Sequence, residues 1–189
     1  MVTQICASEV AKAPQPSSPP TPWRPAPGLT VEAQSFVLRD SQGRMRAHLG
    51  FAAVSDDVAL RLFDEREQSR INLSLGGSEQ SQLTFLDVAG KPTVRLSVSS
   101  EGGAQLELCD DAGKGRCAVE TTPGGSARVH LTDMDGGTRA ALSVGADGCP
   151  RLTLFDKDSK PLAAMLVLRD GMPIINLYNA NGQVAWSAL

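Results

Sequence analysis

The chain has 189 residues, a formal charge of −3 and an aromatic content of only 4%. That length suits one substantial domain, and the slightly acidic balance argues against a nucleic acid or an anionic membrane as partner. The first twelve residues carry neither a basic start nor a long apolar run, so no signal peptide or membrane span is expected and a cytoplasmic location is the default.

Residues 1–28 are expected to form a disordered, Pro-rich arm. Pro14, Pro16, Pro19, Pro20, Pro22, Pro25 and Pro27 favour an extended polyproline II spacer. Pro16–Pro19 and Pro22–Pro25 match P-x-x-P, the second enclosing Trp23 and Arg24, so docking of a protein partner through residues 1–28 is the alternative to a spacer. Before them, Val2, Ile5, Cys6 and Val10 would share one side of a short helix, although so short a segment is marginal alone.

From residue 29 to 189 one repeat takes over. Asp40, Asp64, Asp87, Asp110, Asp133, Asp156 and Asn179 are spaced 24 residues once and 23 thereafter, inside a frame close to L-x-L-x-D-x-x-G-x-x-R-x-x-L. A fixed period of this size signals tandem supersecondary units that share one continuous architecture. Counting each Asp or Asn as position 0, positions −4 and −2 are apolar, as in Leu60 and Leu62 or Leu152 and Leu154, with polar residues between them. Such alternation marks a strand. Gly43, Gly90, Gly113, Gly136 and Gly182 stand at +3, and the D-x-x-G run reads as a hairpin turn. Apolar alternation resumes at +7, +9 and +11, as in Ile71, Leu73 and Leu75, so −2 and +7 are predicted to pair. Returning loops such as Glu101-Gly102-Gly103 and Asp147-Gly148 are turn-rich as well.

The expected fold is therefore all-β: about seven tandem hairpins, some fourteen short antiparallel strands, in a repetitive meander or solenoid-like stack. Local departures are Glu67 and Ser159 in place of the turn glycine, one extra residue within Ala52 to Asp57, and Thr121-Thr122-Pro123, which should make the second strand of its unit the weakest.

Fourteen strands at ~4.8 Å spacing and ~20 Å length give one face of roughly 1,300 Å², whereas monomers rarely expose apolar patches beyond about 300–600 Å². A bare single layer is excluded on this reasoning. The sheet is expected to fold on itself or, by a slight preference, to pack against other copies as a dimer or trimer. A membrane barrel would need longer strands and aromatic girdles. Trp186, at +7 of the last unit, is expected to be buried as a plug at the end of the core.

Candidate sites are few. Arg46, Arg70, Arg116 and Arg139 recur at +6 and should project from the polar face, either toward a polyanion or, by preference, toward neighbouring carboxylates. Phe63, Leu86, Phe155 and Tyr178 at −1 form an outward stripe for packing or for a partner or sugar. Asp133-Met134-Asp135-Gly136 lacks the ligands of a calcium loop. His48 and His130 read as surface residues. Cys109 and Cys117 fall on opposite faces, so free thiols are expected. No cofactor, metal or catalytic group is nominated.

Over Ser35 to Leu189, closest at Phe36 to Leu49, Val129 to Leu142 and Leu152 to Met165, the frame resembles uncharacterised bacterial proteins made of the same tandem repeat. That resemblance implies a β-repeat module of bacterial type and no known activity. MORN repeats share the hairpin length but not the Tyr/Gly/Trp pattern. The function expected is a non-enzymatic structural or interaction scaffold that self-associates. The alternative is a polymer- or carbohydrate-binding module using the outer face.

Overall fold

The computed structural model describes residues 32–51, 57–76 and 80–189, and Ala33–Leu189 form one compact unit. Readings placed on the Pro-rich arm, on Cys6 and on the extra residue between the first two anchors lie outside the described residues. The strands are β1 (Ser35–Arg39), β2 (Met45–Phe51), β3 (Val58–Phe63), β4 (Ser69–Leu75), β5 (Ser81–Leu86), β6 (Pro92–Val98) and β7 (Ala104–Cys109). They continue as β8 (Gly115–Thr121), β9 (Ala127–Thr132), β10 (Thr138–Val144), β11 (Pro150–Phe155), β12 (Pro161–Val167), β13 (Pro173–Tyr178) and β14 (Val184–Ala188). Each pairs antiparallel with the next, giving one open sheet in sequence order. β8 is seven residues long and pairs with β7 and β9, but Thr121 is paired only to Ala127, the Ala104 N–H on its other side going to the Thr121 hydroxyl at 3.3 Å.

One turn chemistry builds every repeat. The anchor C=O accepts the +3 N–H, and the anchor N–H donates to the +4 C=O, as in Gly113 to Asp110 (2.9 Å) and Asp110 to Lys114 (2.8 Å). The anchor Oδ1 then accepts the N–H groups of +2 and +4, for example Ala112 at 2.9 Å and Lys114 at 3.0 Å. Those two N–H groups point into the turn with no strand partner, and a short side-chain acceptor at position 0 satisfies both. Asn179 does the same through its amide oxygen. The +3 residue must take positive φ, which glycine adopts freely. Glu67 and Ser159 adopt it too, at 57° and 59°, so the turn imposes the conformation on whatever residue stands there.

The predicted register holds in all seven hairpins: Leu38 pairs Ala47, Leu62 pairs Ile71, Phe85 pairs Val94 and Leu108 pairs Cys117, then Leu131 pairs Ala140, Leu154 pairs Ala163 and Leu177 pairs Trp186. Position −1 pairs with +5, so every anchor-side hairpin carries a one-residue bulge at +5/+6. The return turns at Ser99, Thr122, Gly145 and Leu168 make the same backbone bonds, yet their strands pair without a shift. One bulge per unit is the reason a 23-residue period divides into twelve and eleven.

One expectation fails. The sheet does not fold on itself: only consecutive strands touch, and β1 and β14 do not meet to close a barrel. The cause is connectivity, because each described turn is tight and returns the chain beside the strand it has just left. Within the described residues no segment is long enough to carry a strand across onto the other layer. The single layer excluded by area is what the chain forms, and the area argument passes from the chain to whatever covers it.

Candidate interaction surfaces

Period-two alternation divides the sheet into two unlike faces. One carries three cross-strand rows: positions −2 and +7, positions −4 and +9, and positions −6 and +11. None of the three rows contains a charged residue. Nothing among the described residues lies over them, and their large side chains stay about half exposed: Leu38 63%, Leu142 55%, Leu106 38%. Trp186 is 52% exposed on the edge strand β14, so it is not a buried plug. In a single layer a side chain has neighbours along its row but none above, which leaves its outer half in water.

The opposite face is polar, and it is the better covered. Its middle row runs strand by strand through His48, Arg61, Asn72, Thr84, Arg95, Glu107 and on through Ala118, His130, Ala141, Thr153, Ala164 and Asn176. Ala118, Ala141, Ala164 and Thr84 in this row are buried, as is Ala59 in the row beside it, because longer neighbours fold over them. Arg95 reaches Glu107 at 2.5 Å and the Cys109 sulfur at 3.3 Å. His130 Nδ1 lies 3.6 Å from Glu120 Oε1. Small residues in this row are thus buried beside longer cross-strand neighbours, Ala118 between Glu107 and His130 and Ala141 between His130 and Thr153, where no second layer exists.

The Arg column has a structural task. The bulge brings +6 back beside its own anchor: Arg46 lies 3.5 Å from Asp40 Oδ2, Arg116 3.6 Å from Asp110 Oδ2 and Arg139 2.7 Å from Asp133 Oδ2, and Arg70 is hydrogen-bonded to Asp64. Three of these guanidiniums also donate to the next repeat: Arg46 Nε to Phe63 O at 3.2 Å, Arg116 Nε to Thr132 O at 2.9 Å, and Arg70 to Asp87 O. Each anchor Asp therefore uses Oδ1 for its turn and, where Arg stands at +6, Oδ2 for that guanidinium, which in Arg46, Arg70 and Arg116 also clamps the following hairpin. The Asp133-Met134-Asp135 run is engaged in this way as well, with Oδ1 accepting Asp135 and Gly137 N–H.

These bonds hold the anchors ionised. Asp64 falls from 3.8 to about 2, chiefly through the Gln68 N–H; desolvation pushes upward next, and Arg70 and the Arg66 N–H pull down further. The +4 N–H is likewise the main cause of the downward shifts of Asp87, Asp110, Asp133 and Asp156. Burial raises the Cys109 thiol. Cys109, Cys117 and Cys149 are free.

Phe63, Leu86, Phe155 and Tyr178 lie on the polar face but are half-buried, and Cys109 and Thr132 interrupt the stripe between them. Phe155 and Tyr178 come together in an open trough of about 680 Å³, with Ala141 and Ala164 as its floor and Arg128 and Arg151 on the far wall. Two recurrences with a role here were not singled out from the sequence. Small residues recur at +8 (Ala118, Ala141, Ala164), the last two making the trough's floor, and cations at +4 reach the next turn, as Lys91 Nζ to Asp111 O at 2.7 Å and Lys114 Nζ to Met134 O at 3.1 Å. Both were legible as 23-residue columns.

Among the described residues no helix is long and apolar enough to cross a membrane, and no cluster of His, Cys, Asp and Glu could hold a metal ion. The arrangement defines the chain as a single-layer, tandem β-hairpin-repeat protein. No family model matches it, and neither does any curated protein. Among solved structures it is similar to the TCP domain of SAS-4 (dCPAP) from Drosophila melanogaster, in complex with a proline-rich motif of Ana2 (dSTIL). That match has 14% identity and a TM-score of 0.39, over 85% of this chain and 94% of that one. A likeness that loose carries no argument about this chain.

Proposed function

We propose that the chain is a non-enzymatic structural and interaction scaffold, whose apolar face is the surface through which it associates. The observation that supports this is the uncovered, charge-free band of three rows on one side of the sheet. A contiguous apolar band of that size is the mark of an association surface. The reading is tested by light scattering after size exclusion together with binding of a hydrophobic-surface dye. A scaffold of this kind runs as more than one copy, or runs as a monomer that binds the dye strongly. A monomer that binds no dye refutes it.

A second reading, recognition of a carbohydrate or other polymer on the outer face, is favoured by the trough beside Phe155 and Tyr178. Aromatic rings offer stacking surfaces for apolar sugar faces, and Arg151 and Thr153 supply donors along the same trough. Retention on immobilised glycans that is lost in Tyr178→Ala supports it; no retention on any glycan removes it. The polyanion version loses ground, because the +6 guanidiniums are already committed to Asp and to backbone carbonyls. Residues 1–28 as a route to a protein partner remain part of the proposal, as does a cytoplasmic setting.

A further inference from the structure

Resting on the scaffold reading, we propose that the surface covering the apolar face is the apolar face of a second copy of this chain. Three observations name that occupant. The first is extent. Fourteen strands at ~4.8 Å and three rows of side chains make a band of roughly 1,200–1,300 Å², above the ~800 Å² per partner of a standard stable interface. A small ligand or a single helix would leave most of it wet.

The second is chemistry. Two of the rows run the full width of the sheet and the third, −6 and +11, runs from β2 to β13, all without a charge, so the surface opposite must also lack charge over about 60 Å. The chain itself carries a surface of that length and composition. The charged residues lie on the other face, where packing two apolar faces together leaves them in water.

The third is relief. In the row of −2 and +7, the bulky side chain tends to stand on the first strand of each hairpin and the small one on the second, as in Leu108 beside Cys117, Leu131 beside Ala140 and Leu154 beside Ala163. In the row of −6 and +11 the order reverses, as in Ser81 beside Leu75 and Ala104 beside Val98. A two-fold axis lying between the sheets and along the strands sets odd strands over even ones. An axis across the strands exchanges the two outer rows. In these outer rows either operation places bulk over hollow, while the middle row, large on both strands as in Leu60 beside Leu73 and Leu106 beside Val119, meets its own copy along the centre of the interface.

The test uses the full chain. The wild type is expected to elute with a light-scattering mass of at least two copies that does not change on dilution, and to bind little hydrophobic-surface dye. Leu106→Glu, in the middle row near the centre of the sheet, should reduce the mass to one copy and raise dye binding several-fold. Its far-ultraviolet dichroism should hold, because Leu106 is part-exposed in the single sheet and the new carboxylate meets water there. Leu142→Glu provides an independent repeat in the other half, and Gln105→Glu on the polar face should leave the mass unchanged. A wild-type monomer that binds dye overturns this proposal in favour of a different partner and leaves the scaffold reading standing. A monomer that binds none overturns both.

Discussion

Ser159 sits at the +3 position of its turn with φ of 59°, where five of the other anchor turns have glycine. Holding a residue with a Cβ in the left-handed region costs ~1–2 kcal/mol. Introducing glycine costs about 0.4–1 kcal/mol through the freedom it adds to the unfolded chain. Ser159→Gly should therefore stabilise the protein by roughly 0.5–1 kcal/mol, because the Ser159 side chain is exposed and its N–H keeps the bond to Asp156 O (3.2 Å). Gly136→Ala, with φ of 87° in the preceding anchor turn, should lose a similar amount. The double variant should return close to wild type, since the two turns share no side-chain partner. Urea melts give the free energies directly, and thermal melts should move by about 2–4 °C per kcal/mol for a domain of this size. If Ser159→Gly is neutral or destabilising while Gly136→Ala behaves as expected, the turn does not impose its conformation on residue 159 and the reasoning fails.

Acid should loosen the turns before anything else. The anchors' folded pKa values lie below 3.8, so their contribution is full above that value and is lost as pH falls toward about 2, the Asp64 value. Melting temperature followed from pH 6 to pH 2 should drop mainly between about 4 and 2, and the drop should shrink in Asp64→Asn; a profile unaffected by that change would remove the anchors as its cause. Arg116→Gln loses the donor to Thr132 O and should cost about 1 kcal/mol, read as urea-melt stability, while heparin-column retention stays unchanged; a lowered retention would return the Arg column to polyanion binding. Ala141→Leu on the crowded polar face should cost about 1–3 kcal/mol through overpacking between His130 and Thr153, and a neutral result would show that row to be loose.

Much of this architecture was legible because the two signals that carry it are local. Alternation at Leu60, Leu62, Ile71 and Leu73 gives strands and faces, and the Asp64-to-Glu67 turn fixes how the two strands meet. Two things were not legible. A period of two says that Leu106 and Leu108 share a face, but it carries no information on whether a layer lies above that face. Trp186 was misjudged for that reason. That the Arg column would pair with neighbouring carboxylates was legible, but which carboxylate each takes, and the bond that three of them make to the next hairpin, was not, because +6 and position 0 look remote in sequence. Only the bulge, visible beforehand as the unequal twelve-and-eleven division of the repeat, brings Arg139 back to within 2.7 Å of Asp133.

Strand contacts in this sheet never skip a neighbour, and their partners stay close along the chain, from Arg39 with Met45 to Val58 with Leu75. Loop closure, the usual reason β-proteins fold slowly, therefore costs little here. With a mean partner separation of about a dozen residues over the Ala33–Leu189 unit, the relative contact order is about 0.07, at the low end of the range of helical bundles. The sheet should form as a zipper, nucleating at any hairpin and growing outward one strand at a time. Amide exchange should accordingly be fastest at its two ends and slow progressively toward the middle strands.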